Sequence, residues 1–209
     1  MIKYYFLSIL ILFLSISSKV FAEDDITDIQ IAGISIGDSL LDYFDKDLIE
    51  LEKYDKHSLF YKNNEYVQIG ASHKDAYRLK VNSDRYDDLS IVLKTNDNNY
   101  EVFLIGGRIF CNDINLCKNK KEKIVNDLTN FFSKDIQITN ENRLHRADPN
   151  GNSKIYETYF QFKDSSGYVS VAIYDWTDEN INGLKYTDNL KVSIFSEEFD
   201  NFLNKIEYN

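Results

Sequence analysis

The residues best placed to do chemistry come early in this chain. Gly37-Asp38-Ser39-Leu40 sets a serine directly after a glycine turn and at the head of an apolar run. With a histidine base beside it, such a serine is a nucleophile; beside free backbone N–H groups, it is a helix N-cap. The following residues favour the cap. Ser39-x-x-Asp42 has the form of a capping box with Asp in place of Glu, and Leu40, Leu41, Phe44 and Leu48 fall on one helical face.

Other candidates are scattered. His57, His73 and His145 stand apart among polar neighbours, without the paired spacing of a helical zinc site, and read as solvated surface residues. Arg143 and Arg146 flank His145, an arrangement that would suit an anion. Asp97-Asn98-Asn99-Tyr100-Glu101 and Asp148-Pro149-Asn150-Gly151-Asn152 have the composition of calcium loops. Neither combines glycine at the sixth position with glutamate at the twelfth, so both read as turns. Asp175-Trp176-Thr177-Asp178-Glu179-Asn180 carries the only tryptophan, either a binding anchor or an aromatic covering a sheet edge. Cys111 and Cys117 lie six apart and predict a local disulfide, since two thiols fall short of the four ligands of structural zinc. No glycine-rich phosphate loop, dinucleotide fingerprint or basic patch occurs. The sequence therefore predicts no catalytic constellation, no cofactor and no metal.

The chain opens with Lys3, runs apolar from Tyr4 to Ile16, and reaches Val20-Phe21-Ala22 before a switch to Glu23-Asp24-Asp25. This is the pattern of a secretory signal, residues 1–22, cleaved after Ala22. The apolar run is shorter than the ~20 residues that cross a bilayer, so no membrane span is expected in the mature chain. With no cysteine before Cys111, no lipidated cysteine can stand at the cleavage site. The formal charge of −10 loses only two lysines with the signal and grows more negative. Such a chain is repelled by phosphate backbones and anionic lipid, which argues against a nucleic-acid partner. Export to the periplasm or beyond is the expected destination.

Residues 23–209 are expected to form one domain, with halves 23–110 and 111–209. Ile29 to Ile36 reads as a short strand bulged at Gly33, and 39–50 as the first helix. Alternation at 59–61 and 66–69, then at 89–93 and 101–105, predicts two hairpins, with a brief edge strand around Tyr77, Leu79 and Val81. Gly106-Gly107 allows a bend. A second helix, capped near Asn112 or Asp113, carries Ile124, Val125, Leu128, Phe131 and Phe132 at helical spacing. Residues 134–154 are the one candidate hinge. Residues 156–162, 169–173 and 190–194 alternate as strands, and Ser196 caps a terminal helix with Phe199, Phe202, Leu203 and Ile206 on one face. Short turns between strands dictate antiparallel pairing. The expected class is α+β: an antiparallel sheet with helices packed on one face and a tandem helix-then-strands repeat.

Three resemblances bear on function. Gly37-Asp38-Ser39-Leu40 resembles the nucleophile block of the GDSL hydrolases, which implies an esterase using Ser39. That family supplies its base from an Asp-x-x-His near the C-terminus, and here no histidine follows His145. The stretch Gly33 to Phe44, with Cys111 to Phe132, resembles a group of uncharacterised exported proteins of marine alphaproteobacteria. The doubled helix-then-strands order resembles the architecture of the small outer-membrane assembly factor and the β-lactamase-inhibitor protein, with Gly37-Asp38-Ser39 standing where the usual Gly-Met-Ser/Thr would be. The leading expectation is a non-enzymatic exported domain that binds another envelope protein. A Ser39 esterase and a small-ligand carrier are the alternatives.

Overall fold

The computed structural model describes residues 26–72, 77–81, 85–132, 136–146, 148, 150–163, 167–177, 180–181 and 184–207. The expected signal, His73, Pro149 and parts of the turns at 164–166 and 178–179 lie outside them. The first described residues enter the core at once: Ile26, Ile31, Ile34, Ile36 and Leu40 are buried. Ala32 and Gly33 take left-handed backbone, φ 55° and 84°, and Ile31 and Ile34 exchange backbone hydrogen bonds of 3.0 and 3.1 Å across them. Where the sequence predicts a bulged strand, the chain makes a tight two-residue reversal, which requires two positive φ values.

Ser39 opens only a single turn, Leu40–Asp42, and helix α1, Lys46–Lys53, starts afresh behind Asp45. The break in the helix expected over 39–50 has a cause. The N–H groups of Gly37 and Leu40 donate to Val102 O and Tyr100 O, and Val102 N–H donates to Asp38 O. Residues 37–40 are thus held against 100–102, and a long helix can begin only beyond them.

The strands are β1 (Leu59–Phe60), β2 (Tyr66–Ala71), β3 (Asp88–Lys94) and β4 (Leu104–Phe110), followed by helix α2 (Ile114–Phe131). The second half gives β5 (Ile136–Leu144), β6 (Lys154–Phe162), β7 (Gly167–Asp175), a small ribbon of β8 (Asn180–Ile181) and β9 (Leu184–Lys185), and β10 (Asn189–Ser196). Helix α3 (Glu197–Phe202) and a wider helical turn, Leu203–Glu207, follow. Among the described residues, eight strands form one antiparallel sheet in the order β1-β2-β3-β4-β10-β7-β6-β5. Each half supplies a helix and then a four-strand run, and the halves join where β4 meets β10. The expected hinge at 134–154 is largely strand: β5 pairs with β6 along its whole length, from Ile136 opposite Phe162 to Leu144 opposite Lys154.

Strand parity sorts the side chains. Val67, Ile69, Leu89, Ile91, Ile105, Val169, Val171, Leu190, Ile194 and Phe160 share one face and form the main core. Helix α1 covers it with Ile49, and α2 with Ile114, Cys117, Ile124, Val125 and Leu128. Each fully buried aliphatic chain contributes roughly 2 kcal/mol through removal from water. Asp113 is the α2 cap, accepting from Asn115 N–H at 2.9 Å. Cys111 and Cys117 stand at disulfide-bonding distance, Cα atoms 6.0 Å apart, tying the end of β4 to the first turn of α2. Lys121 lies on the buried stripe of α2 and donates to Thr158 Oγ1 at 2.8 Å; burial lowers its pKa.

Helix α3 is placed differently. Ser196 caps it, accepting from Phe199 N–H at 3.2 Å. Phe199, Phe202 and Leu203 bury against Tyr66, Val92, Phe103 and Leu104. Val92 and Leu104 have the opposite parity to the core residues, so α3 folds over one end of the other face.

Candidate functional site

Beyond α3, that second face is polar, its small side chains buried among larger neighbours and its hollows lying between them. Register lays its residues in rows across the strands. One row runs Asp88, Arg108, Lys191, Ala172, Glu157 and Glu141, from β3 to β5. The next, toward α3, is Ser90, Gly106, Ser193, Ser170 and Tyr159; after it come Val92, Leu104, Phe195 and Tyr168, the row nearest α3. Directly opposed Cβ atoms stand ~5 Å apart, so the row of small residues makes a trough between the charges and the helix.

Gly106 has a particular part in this. A Cβ there would meet Lys191 Cε at 2.6 Å and Ser193 Oγ at 2.8 Å. On the opposite face, a Cβ at Gly107 would meet the Tyr86 ring at 2.4 Å. The bend expected at this pair does not occur, because β4 continues through it. The glycines instead let one side chain lie flat on each face of the strand, and on the open face that side chain is the lysine.

The charged row is uneven. At one end Glu157, buried, accepts from Arg143 Nη2 at 2.9 Å, from the Tyr159 hydroxyl at 2.7 Å and from the Ser170 hydroxyl. Burial and the Glu157 contact push the Tyr159 pKa up. At the other end Asp88 accepts from Arg108 Nε at 2.7 Å. Between them, no hydrogen bond or ion pair holds the Lys191 ammonium among the described residues. Burial, with Arg108 beside it, lowers its pKa to about 8, against the smaller opposing pull of Asp88 and Glu157. Two residues along β10, on the same face, Asn189 is 6% exposed. Its Nδ2 donates to Thr187 O at 2.9 Å, and its Oδ1 has no partner among the described residues. A buried acceptor left without a donor costs ~1–3 kcal/mol, so this one calls for a donor from outside the chain.

Lys191 and Asn189 both line a cavity of about 470 Å³. Its wall is aromatic. Trp176 stacks on Tyr186 with ring centroids 4.2 Å apart, and His145 lies 4.1 Å from Trp176 on centroids. Burial, and then Arg143, lower the His145 pKa, which favours the neutral ring. Tyr174 lines this cavity and also a second one, of about 440 Å³, between α3 and β6, where Arg143, Arg146, Glu157 and Tyr159 are found.

The residues singled out in the sequence divide accordingly. The Ser39 hydroxyl donates to Asn99 O at 2.6 Å and accepts from Leu41 N–H at 3.3 Å, as a cap does. Beside it, the Tyr43 hydroxyl donates to Asp38 Oδ2 at 2.5 Å, which raises the tyrosine pKa to about 12. Asp97 accepts from the N–H groups of Asn99 and Glu101, and Asp148 from those of Asn150, Asn152 and Ser153, so both carboxylates close turns. Asp148 is thereby held well below the usual carboxylate range, at about 2. His57 is exposed, at the opposite end of the fold's order from His145. His145 and Trp176, far apart in sequence, come together at the cavity. Among the described residues no three His, Cys, Asp or Glu side chains gather as metal ligands, and no helix is long and apolar enough to cross a membrane. Lys191, Asn189 and Arg108 were not singled out from the sequence. Alternation gives the polar side of β10, but only the sheet order puts that strand at the centre.

No match is found. Neither family models, nor curated proteins, nor solved structures give one. The functional reading rests on the site.

Proposed function

We propose that this protein is a non-enzymatic exported binding domain whose open sheet face receives another envelope protein. The observation that carries this reading is the central pair, Lys191 and Asn189. A cation and a buried acceptor are fixed on a rigid strand in the middle of an eight-stranded sheet, and neither the ammonium nor Oδ1 has a partner within the described chain. Polar groups inside a fold are normally satisfied, so groups left unsatisfied beside a cavity await a ligand.

The test is photo-crosslinking in the native envelope from positions at the rim of the trough, Phe110 and Glu141, with Lys120 on α2 as the control site. A single protein captured from the rim and not from Lys120 is the expected result. Equal capture from all three, or none, would count against the reading. A small-ligand carrier is the second reading, favoured by the volume and aromatic wall of the cavity beside Lys191. In that case native mass spectrometry of protein from its own host would show a bound mass.

A further inference from the structure

We infer that the cavity beside Lys191 is a carboxylate pocket, taking a group that carries one carboxylate and a neighbouring N–H donor, as a peptide C-terminus or a free N-acylated amino acid does. This rests on the reading of the open face as a recognition surface and names the chemical group recognised there.

Charge counting selects the anion. Along the row, Asp88 is engaged by Arg108 and Glu157 by Arg143, Tyr159 and Ser170. Among the described residues the Lys191 ammonium is the cation of the row left without a direct partner, and it matches a monoanion; the unengaged anion, Glu141, stands on the outer strand, beyond Glu157. A dianionic phosphate would face the Asp88 and Glu157 carboxylates with only one unengaged cation between them. The donor follows from Asn189. Its amide orientation is set by the Nδ2 hydrogen bond to Thr187 O, so the buried Oδ1 is the atom without a partner within the described chain, and it can only accept. Lys191 and Asn189 alternate on one face of β10, ~7 Å apart along the strand, a span that a carboxylate and the N–H on its α-carbon can bridge. Trp176 and Tyr186, stacked at 21°, offer a flat wall for an apolar or aromatic side chain.

Trp176 is the chain's only tryptophan, so intrinsic fluorescence reports on this cavity directly. The probes are N-acetyl-L-phenylalanine, its amide, and a tripeptide ending in phenylalanine with a free carboxylate, each titrated at pH 7 against the full chain. The free acid should give a saturable change in Trp176 emission, with at least tenfold weaker binding for the amide. K191M and N189A should each weaken the acid at least tenfold. Tighter binding of the tripeptide than of the acetylated acid identifies a chain terminus as the natural source; equal binding identifies the free acid. Equal binding of acid and amide by the wild-type protein overturns the proposal without recourse to any variant, as does the absence of a saturable change. If rim crosslinking still captures one protein while acid and amide bind alike, the pocket fails and the recognition face stands. If the acid binds selectively and nothing is captured, the partner-protein reading fails and the carrier reading takes its place.

Discussion

Two neighbourhoods on the open face are built from the same kinds of residue and end differently. Around Glu157, three donors converge on one buried carboxylate, and the group is closed. Around Lys191, two positions along the same row, the ammonium has no partner and Asn189 Oδ1 no donor among the described residues. A closed polar cluster fixes register and holds strands together, whereas an open one costs stability in the free protein and recovers it on binding. The contrast separates polar residues that maintain the fold from those available to a ligand. Ser39 and Asp148 belong with Glu157, since their hydrogen bonds are satisfied by the chain's own backbone.

The contrast is open to direct attack. Replacing Glu157 with Ala should have the largest effect, a loss of ~3 kcal/mol in urea unfolding, because Arg143 and two hydroxyls lose their shared acceptor; a loss below ~1 kcal/mol would remove the distinction. Gly106→Ala comes next. The new methyl displaces side-chain ends and not backbone, so a cost of ~1–2 kcal/mol is expected, with carboxylate binding lost as Lys191 leaves its place. Ser39→Ala should cost ~1 kcal/mol, the worth of an N-cap; loss of an esterase activity from the wild-type protein would instead revive the nucleophile reading.

Lys191→Met should have the smallest effect and the opposite sign, a gain of up to ~1 kcal/mol at pH 7. The sign follows from the lowered pKa. Between about 8 and lysine's ordinary value of 10.5, the unfolded chain holds a proton that the folded chain has released. The cost of keeping Lys191 charged, set first by its burial, then by Arg108 repelling it against the attraction of Asp88 and Glu157, is therefore full below pH 8 and fades as pH rises toward 10.5. Unfolding of wild type and K191M at pH 7 and pH 10 should show the gain from methionine shrinking. A gain independent of pH would mean that the lysine is not strained in its charged form.

The sheet was readable where one face is buried. Residues 156–162 and 169–173 alternate cleanly because every second side chain enters the core. β5 did not announce itself because it is the outer strand: Ile138 and Leu144 are exposed, and Asn140, Glu141 and Asn142 break any apolar alternation. The first helix was misplaced because propensity and capping at Ser39 are local, while the pairing of 37–40 with 100–102 is not. Gly106-Gly107 looked like a bend because a sequence shows what glycine permits, but not which neighbour occupies the space. The pair Lys191 and Asn189 was half legible. Lys191 fell on the polar side of its strand, but its place beside β4 depends on Arg108, 83 positions away.

That distance has a kinetic side. The seam between β4 and β10 joins Leu104–Phe110 to Asn189–Ser196, strands separated by most of the second half of the chain. As the polypeptide emerges from N-terminus to C-terminus, β1 to β4 can pair among themselves long before β10 exists. Until it arrives, the outer edge of β4 is a row of vacant backbone donors and acceptors next to Leu104 and Ile105. Such an edge is a template for strands of other molecules, and contacts of this separation form slowly. The centre of the finished sheet is thus the chain's most exposed flank during synthesis, and the last strand to be made is the one that protects it.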